Sequence, residues 1–249
     1  MADKWPVLGK PPVIVALFQL QFEMGNLVLN DFLKFDSQLR KDFPKRADNI
    51  EASINMPSTA IPLGISKVIG TSNARMQSHV YFTEDQKCKL TISEGSITYV
   101  DEHPYVGWPF FQESVCKYIA LFAPVLETHT INRTSIRFIN QFAFESFDNP
   151  TEYFNTLISS TEDKGFPFPL IKYGFKLVLD IRQDIYSIVN QNLEKSSANY
   201  NYIFDIDVLN KSNLIFDVNS IVDVLSELRG IKNSIFFSNV TQKTIDLCN

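Results

Sequence analysis

Phe18-Gln19-Leu20-Gln21-Phe22 alternates apolar and polar side chains, and Ile136-Arg137-Phe138-Ile139-Asn140-Gln141-Phe142 takes up the theme in the second half of the chain. A period of two sends one set of side chains into a core and the other toward water, as in an antiparallel sheet with one wet face. Pro11-Pro12 forces an extended entry into the first run. Tyr173, Phe175, Leu177, Leu179 and Ile181 keep this period, as do Tyr200, Tyr202, Phe204, Ile206 and Val208. Elsewhere the spacing becomes three or four. Val28, Phe32, Phe35, Leu39 and Phe43 predict a helix that Pro44 closes. Trp108-Pro109 opens another, with Phe111, Val115, Tyr118, Ile119, Phe122 and Leu126 as its buried stripe. Asp217 caps a last helix that buries Ile221, Leu225, Leu228, Ile231 and Ile235.

Shorter runs at 79–83, 88–93 and 96–100 predict three strands, separated by turns at Glu84-Asp85-Gln86 and Glu94-Gly95. A strand at 134–145 and a short helix after Asn149-Pro150, carrying Tyr153, Phe154, Leu157 and Ile158, follow. Residues 44–75, with Pro44, Pro57, Pro62, Gly64 and Gly70, read as an irregular excursion, and 191–201 as a polar loop. The first half thus runs strand, helix, excursion, strands, helix, and the second runs strand, helix, strands, helix. This predicts an α+β fold, an antiparallel sheet with helices on one face. It also predicts two fused β-α-β-β-α units, 1–130 and 131–249, related by a pseudo-twofold axis within one compact domain.

The 249 residues, 45% hydrophobic and 20% charged, suffice to bury a large core without a metal or disulfide staple. Much of that core is aromatic, since Phe alone occurs 21 times. A net charge of −5 argues against general nucleic-acid binding, which needs surplus Lys and Arg. No apolar run reaches the ~18 residues that span a bilayer. The opening Met1-Ala2-Asp3-Lys4-Trp5-Pro6 lacks the layout of a signal peptide. Cys88, Cys116 and Cys248 are odd in number and far apart, which suits free thiols in a reducing cytoplasm. The expectation is a cytoplasmic protein with no membrane segment and no cofactor.

His79, His103 and His129 fall at no metal-ligand spacing, and no phosphate loop, nucleophile elbow or His-Glu-x-x-His is present. No catalytic residue is assigned. Strand alternation turns Arg133, Ser135 and Arg137 away from the core, together with Lys176, Asp180 and Arg182 and with Asp205 and Asp207. A shared polar groove results, in which Arg133, Arg137 and Lys176 are candidates to hold an anionic group. Asp205 and Asp207 are candidates for a divalent cation. The competing reading of the same residues is a set of cross-strand ion pairs on a wet face. Tyr105 and Trp108, with Phe110 and Phe111, offer a partner-binding patch at a helix entry, or else a staple that packs the helix start on the core. Together these features point to a non-enzymatic binding or regulatory module for a partner protein or small anionic ligand. The alternatives are a metal-assisted phosphoester hydrolase using Asp205 and Asp207, and a structural subunit of a larger assembly.

Residues 11–22, Pro-Pro-Val-Ile-Val-Ala-Leu-Phe-Gln-Leu-Gln-Phe, resemble the opening of a sporadically distributed, uncharacterised bacterial family of similar length, Pro-Pro-Ile-x-Glu-Ala-x-Phe-x-Ile-x-Phe. The likeness continues in Tyr105-x-x-Trp108-x-x-Phe111, in residues 133–140, in Phe204-Asp205-Ile206-Asp207 and from Ile235-Phe236-Phe237 to Thr241. Val15 stands where that family has Glu, so the resemblance carries no carboxylate role to this position. It implies an accessory bacterial protein, of the kind found in phage-defence and toxin–antitoxin neighbourhoods, and no particular activity.

Overall fold

β1 (Val13–Phe22) leaves Pro11-Pro12 directly and buries Ala16, Phe18, Leu20 and Phe22, leaving Gln19 and Gln21 on its other side. The computed structural model describes residues 5–54, 72–145, 150–155, 172–195 and 199–249. Within them β2 (Lys45–Ile54), β3 (Ser72–Phe82), β4 (Cys88–Ser93), β5 (Ser96–Asp101), β6 (Thr130–Phe144), β7 (Lys172–Arg182), β8 (Ile185–Lys195) and β9 (Tyr200–Asn210) join β1 in one sheet. Its order is β2-β3-β4-β5-β1-β6-β9-β8-β7, antiparallel throughout, and a short β10 (Leu214–Ile215) pairs with β6. The helices α1 (Asp36–Leu39), α2 (Trp108–Leu126), α3 (Val218–Asn239) and α4 (Gln242–Leu247) lie mostly on one face.

That face holds the core. Ile136, Phe138, Phe142 and Phe144 of β6 and Tyr202, Phe204, Ile206 and Val208 of β9 are all buried in it. From α2, Phe111 meets Phe138 edge-on at 5.4 Å, and from α3 Phe236 stacks on Phe204 at 5.9 Å. Such offset and edge contacts add to what apolar burial alone contributes. Gly107, at φ 126°, turns the chain into α2 with a backbone angle that L side chains rarely adopt, and Pro109 occupies the first turn, where its missing donor matters least. Asp217 caps α3 by accepting from the Ser220 N–H at 2.7 Å.

The α+β, one-face arrangement is the one the sequence predicts. Reading outward from the central β1–β6 pair gives β5, β4, β3 on one side and β9, β8, β7 on the other, with β2 added at the first half's outer edge.

Several elements depart from the sequence-based expectation. The segment expected as a helix up to Pro44 is a 3-10 helix, Leu29–Phe35, running into the single turn α1. The side chain of Asp31 accepts from the Val28 N–H, the local bonding by which Asp competes with regular helix. Within the expected excursion 44–75, residues 45–54 are β2 and 72–75 belong to β3, while 55–71 lie outside the described residues. Polar side chains hid β2, because Arg46 and Asp48 sit beside Tyr81 and His79 rather than following an apolar period. The expected loop 191–201 is the end of β8 and the start of β9, with 196–198 outside the described residues. The inward positions Ser187 and Gln191 are polar, and Gln191 accepts from the Tyr202 hydroxyl at 2.6 Å. Among the described residues after Asn149, Pro150–Glu152 is a 3-10 turn and Phe154 forms an isolated bridge with Val240, while Leu157 and Ile158 lie outside them. An irregularity between Asp180 and Arg182 turns Arg182 to the helix side, where it pairs with Glu227 of α3 rather than facing the polar groove.

Candidate functional site

Two places on the molecule collect the predicted residues. On the helix-free face, β6 and β9 place Arg137 opposite Asp207, with Asp205 one pleat further along. Arg137 donates through Nε and Nη2 to the two oxygens of Asp205 at 2.8 and 2.7 Å, a fork-to-fork pair. Asn190 of β8 adds a 2.9 Å bond to the same carboxylate. Arg133 reaches Asp207 at 3.3 Å. The hydrogen bonds to Asp205 hold the Arg137 guanidinium above its ordinary pKa. Burial pushes the Asp207 carboxyl up despite the pull of Arg133 and Arg137.

The structure therefore brings Arg133, Arg137, Asp205 and Asp207 together but leaves no surplus charge there, since two guanidiniums face two carboxylates. An anion clamp needs that surplus. Asp205 is no better placed for a cation, because its oxygens already accept from Arg137 and Asn190. Among the described residues no group of three His, Cys, Asp or Glu side chains is gathered for a metal. Lys176 lies in the same row as Asn190 and Asp205 but two strands out, roughly 10 Å away at ordinary strand spacing. It does not join the cluster.

The second place is a pocket of about 350 Å³ on the helix side. Tyr105 and Trp108 line it with Trp5, Pro11, Pro12 and Phe237. Trp108 is only 7% exposed, so most of it packs as a staple would, while Phe110 next to it points out at 62%. Trp5 stacks on Phe237 at 5.3 Å, and Tyr105 meets Phe138 edge-on at 5.6 Å. Two cations of α3 lie over these rings, Arg229 at 5.4 Å from Trp108 and Lys232 at 4.5 Å from Phe138. Two carboxamides complete the lining. Asn140 donates to the Phe204 carbonyl at 2.9 Å, and Asn233, 8% exposed, makes no side-chain hydrogen bond among the described residues.

Sequence reasoning named Tyr105 and Trp108 here and missed Trp5, Asn140, Arg229, Lys232, Asn233 and Phe237. No local spacing in the sequence signals this set. Pro11-Pro12, Tyr105 to Trp108, Asn140 and Phe236-Phe237, which lie far apart in the sequence, all line this one pocket.

Beside it, a smaller cavity of about 180 Å³ is lined by Asp101, His103 and Phe110. The two ring nitrogens of His103 face two carboxylates, Nδ1 at 2.6 Å from Asp101 and Nε2 at 2.9 Å from Asp85. Burial, the largest single influence, pulls the ring's pKa down, but the hydrogen bonds and charges of Asp101 and Asp85 together raise it above 6.5. A raised pKa means that this pairing stabilises the fold fully below about 6.5 and ceases to do so as pH rises through the folded value. A ¹H–¹⁵N titration of the imidazole is expected to show that elevation, and Asp101→Asn or Asp85→Asn to reverse it. A wild-type value at or below 6.5 would contradict the geometry.

No family model, curated protein or solved structure matches the chain.

Proposed function

We propose that this protein is a non-enzymatic binding module, and that its ligand is a small anionic molecule with a planar ring, seated in the pocket between Trp5, Tyr105, Trp108 and α3. The observation that carries this reading is the composition of that pocket. Flat aromatic walls, two cations and two partly unused carboxamides converge on a space of ligand size. Aromatic faces take a ring, Lys232 and Arg229 favour negative charge, and the carboxamides of Asn140 and Asn233 offer directional hydrogen bonds. The helix-free cluster sets two guanidiniums against two carboxylates and has no aromatic wall, so the pocket is preferred for a ligand with a planar ring.

Both tryptophans of the chain line the pocket, so tryptophan fluorescence, excited selectively at the red edge where tyrosine does not absorb, reports on it. Anilinonaphthalene sulfonate, an aromatic anion, is expected to quench that fluorescence saturably in the native protein. Lys232→Glu should weaken the binding at least about tenfold, or roughly 1.4 kcal/mol, with an unchanged far-ultraviolet spectrum. Asn233→Leu should weaken it as well, since an apolar isostere removes the directional contact. Equal affinity in Lys232→Glu would refute the proposal.

A further inference from the structure

We infer that β7 is a self-recognition edge, through which two copies of this chain pair antiparallel about Val178 and continue the sheet from one molecule into the next. Among the described residues β7 is paired on one side only, with β8. Its outer edge is long and carries an exposed apolar centre, Val178 at 66%. An open edge of this kind is a template for another strand. The identity of that strand follows from the charges.

On the helix-free side β7 presents Lys176, Val178 and Asp180 in succession, all exposed. In an antiparallel pair of identical strands the register is fixed by the residue that lies on the twofold axis and meets itself. With Val178 on the axis, Lys176 of each copy stands opposite Asp180 of the other, giving two symmetric ion pairs around an apolar contact. The helix side fits the same register, since half-buried Leu177 then faces Leu179 of the second copy. Centring on Asp180 sets it against itself, which destabilises a sheet pair. Centring on Lys176 does the same on the axis, leaves Val178 opposite Gly174, and brings Asp180 opposite a Lys172 that Glu194 already holds at 2.9 Å. Centring on Leu177 or Leu179 leaves both charges opposite uncharged residues or another cation. Arg182 does not interfere, because Glu227 holds it on the helix side. A charged edge repels an arbitrary apolar strand, so Lys176 and Asp180 select a partner with the complementary order. A second copy has it.

One strand pair makes a small interface, so the dimer is expected at about 100 µM chain rather than at nanomolar concentration. Light scattering at that concentration should give twice the 28.5 kDa chain mass. Lys176→Asp sets Asp against Asp twice and should raise the dimer dissociation constant at least tenfold. Adding Asp180→Lys reverses both signs and should restore the wild-type value. These residues are exposed, so the variants should melt like wild type. Val178→Cys should cross-link to its own copy under diamide, which takes up the two electrons and two protons of the thiol pair, whereas Phe175→Cys should not. A monomer at that concentration, a dimer indifferent to Lys176→Asp, or no recovery in the double variant would each overturn the inference.

Discussion

Phe138→Ala is expected to destabilise the protein by about 3–5 kcal/mol, the range for truncating a fully buried Phe. Phe138 is 0% exposed and lies at the middle of the sheet, in register with Ala16 of β1 and Ile206 of β9. Phe111 and Tyr105 contact its ring edge-on, and Lys232 lies over it. No small side chain can slide in to refill the space, because the neighbours on both strands are fixed by the ladder and α2 is anchored by its own stripe. The lost transfer energy and the remaining cavity therefore add. Urea unfolding should show a lower midpoint with an unchanged slope. Phe110→Ala, two helical positions from Trp108 but 62% exposed, serves as the contrast and should change stability by less than about 0.5 kcal/mol. If both substitutions cost the same, the helix-covered face is not the core. Phe138→Ala should also weaken anilinonaphthalene sulfonate binding, because Lys232 loses the ring that positions it.

What the sequence revealed, and what it hid, divides along one physical line. Where a strand buries apolar residues on alternate positions, as in β1, β6 and β9, the period survives in the sequence and the facing of every side chain follows. Arg133, Arg137, Asp205 and Asp207 could be placed on one surface for that reason. Where the inward positions are polar, the period disappears. β8 buries Ser187 and Gln191 among its apolar residues, and β2 turns Arg46 and Asp48 toward His79 and Tyr81, so the end of β8 read as loop, its start received no assignment, and β2 read as excursion. The pocket was less legible still. Its lining comes from the chain before β1, the entry to α2, β6 and α3, and no local spacing shows that Trp5, Asn140 and Lys232 converge. Trp108 was visible as an aromatic at a helix entry, but its packing and its access to the pocket are properties of the assembled face.

The same distinction decides what Arg137 does. If it were a ligand clamp, Arg137→Ala would leave the melting temperature unchanged and abolish binding. The geometry gives a different expectation. The Asp205 side chain is 6% exposed, and removing Arg137 leaves that carboxylate with Asn190 as its one remaining side-chain donor among the described residues. Breaking a fully buried ion pair costs about 3–5 kcal/mol, because an uncompensated charge stays behind. Arg137 itself is 41% exposed, so water screens part of the interaction and admits some relief. An intermediate loss of about 2 kcal/mol is expected, or roughly 4–8 °C in Tm for a chain of this size. Asp205→Leu alone should cost less, since the freed guanidinium can turn to solvent. Combining Arg137→Met with Asp205→Leu should recover most of the stability, because an apolar pair replaces the ionic one without leaving a buried charge. That ordering, with the arginine variant worst and the double variant near wild type, distinguishes a structural ion pair from a binding residue. An Arg137→Ala protein that melts with wild type but fails to bind an anion would return Arg137 to the functional site and move the ligand from the aromatic pocket to the helix-free face.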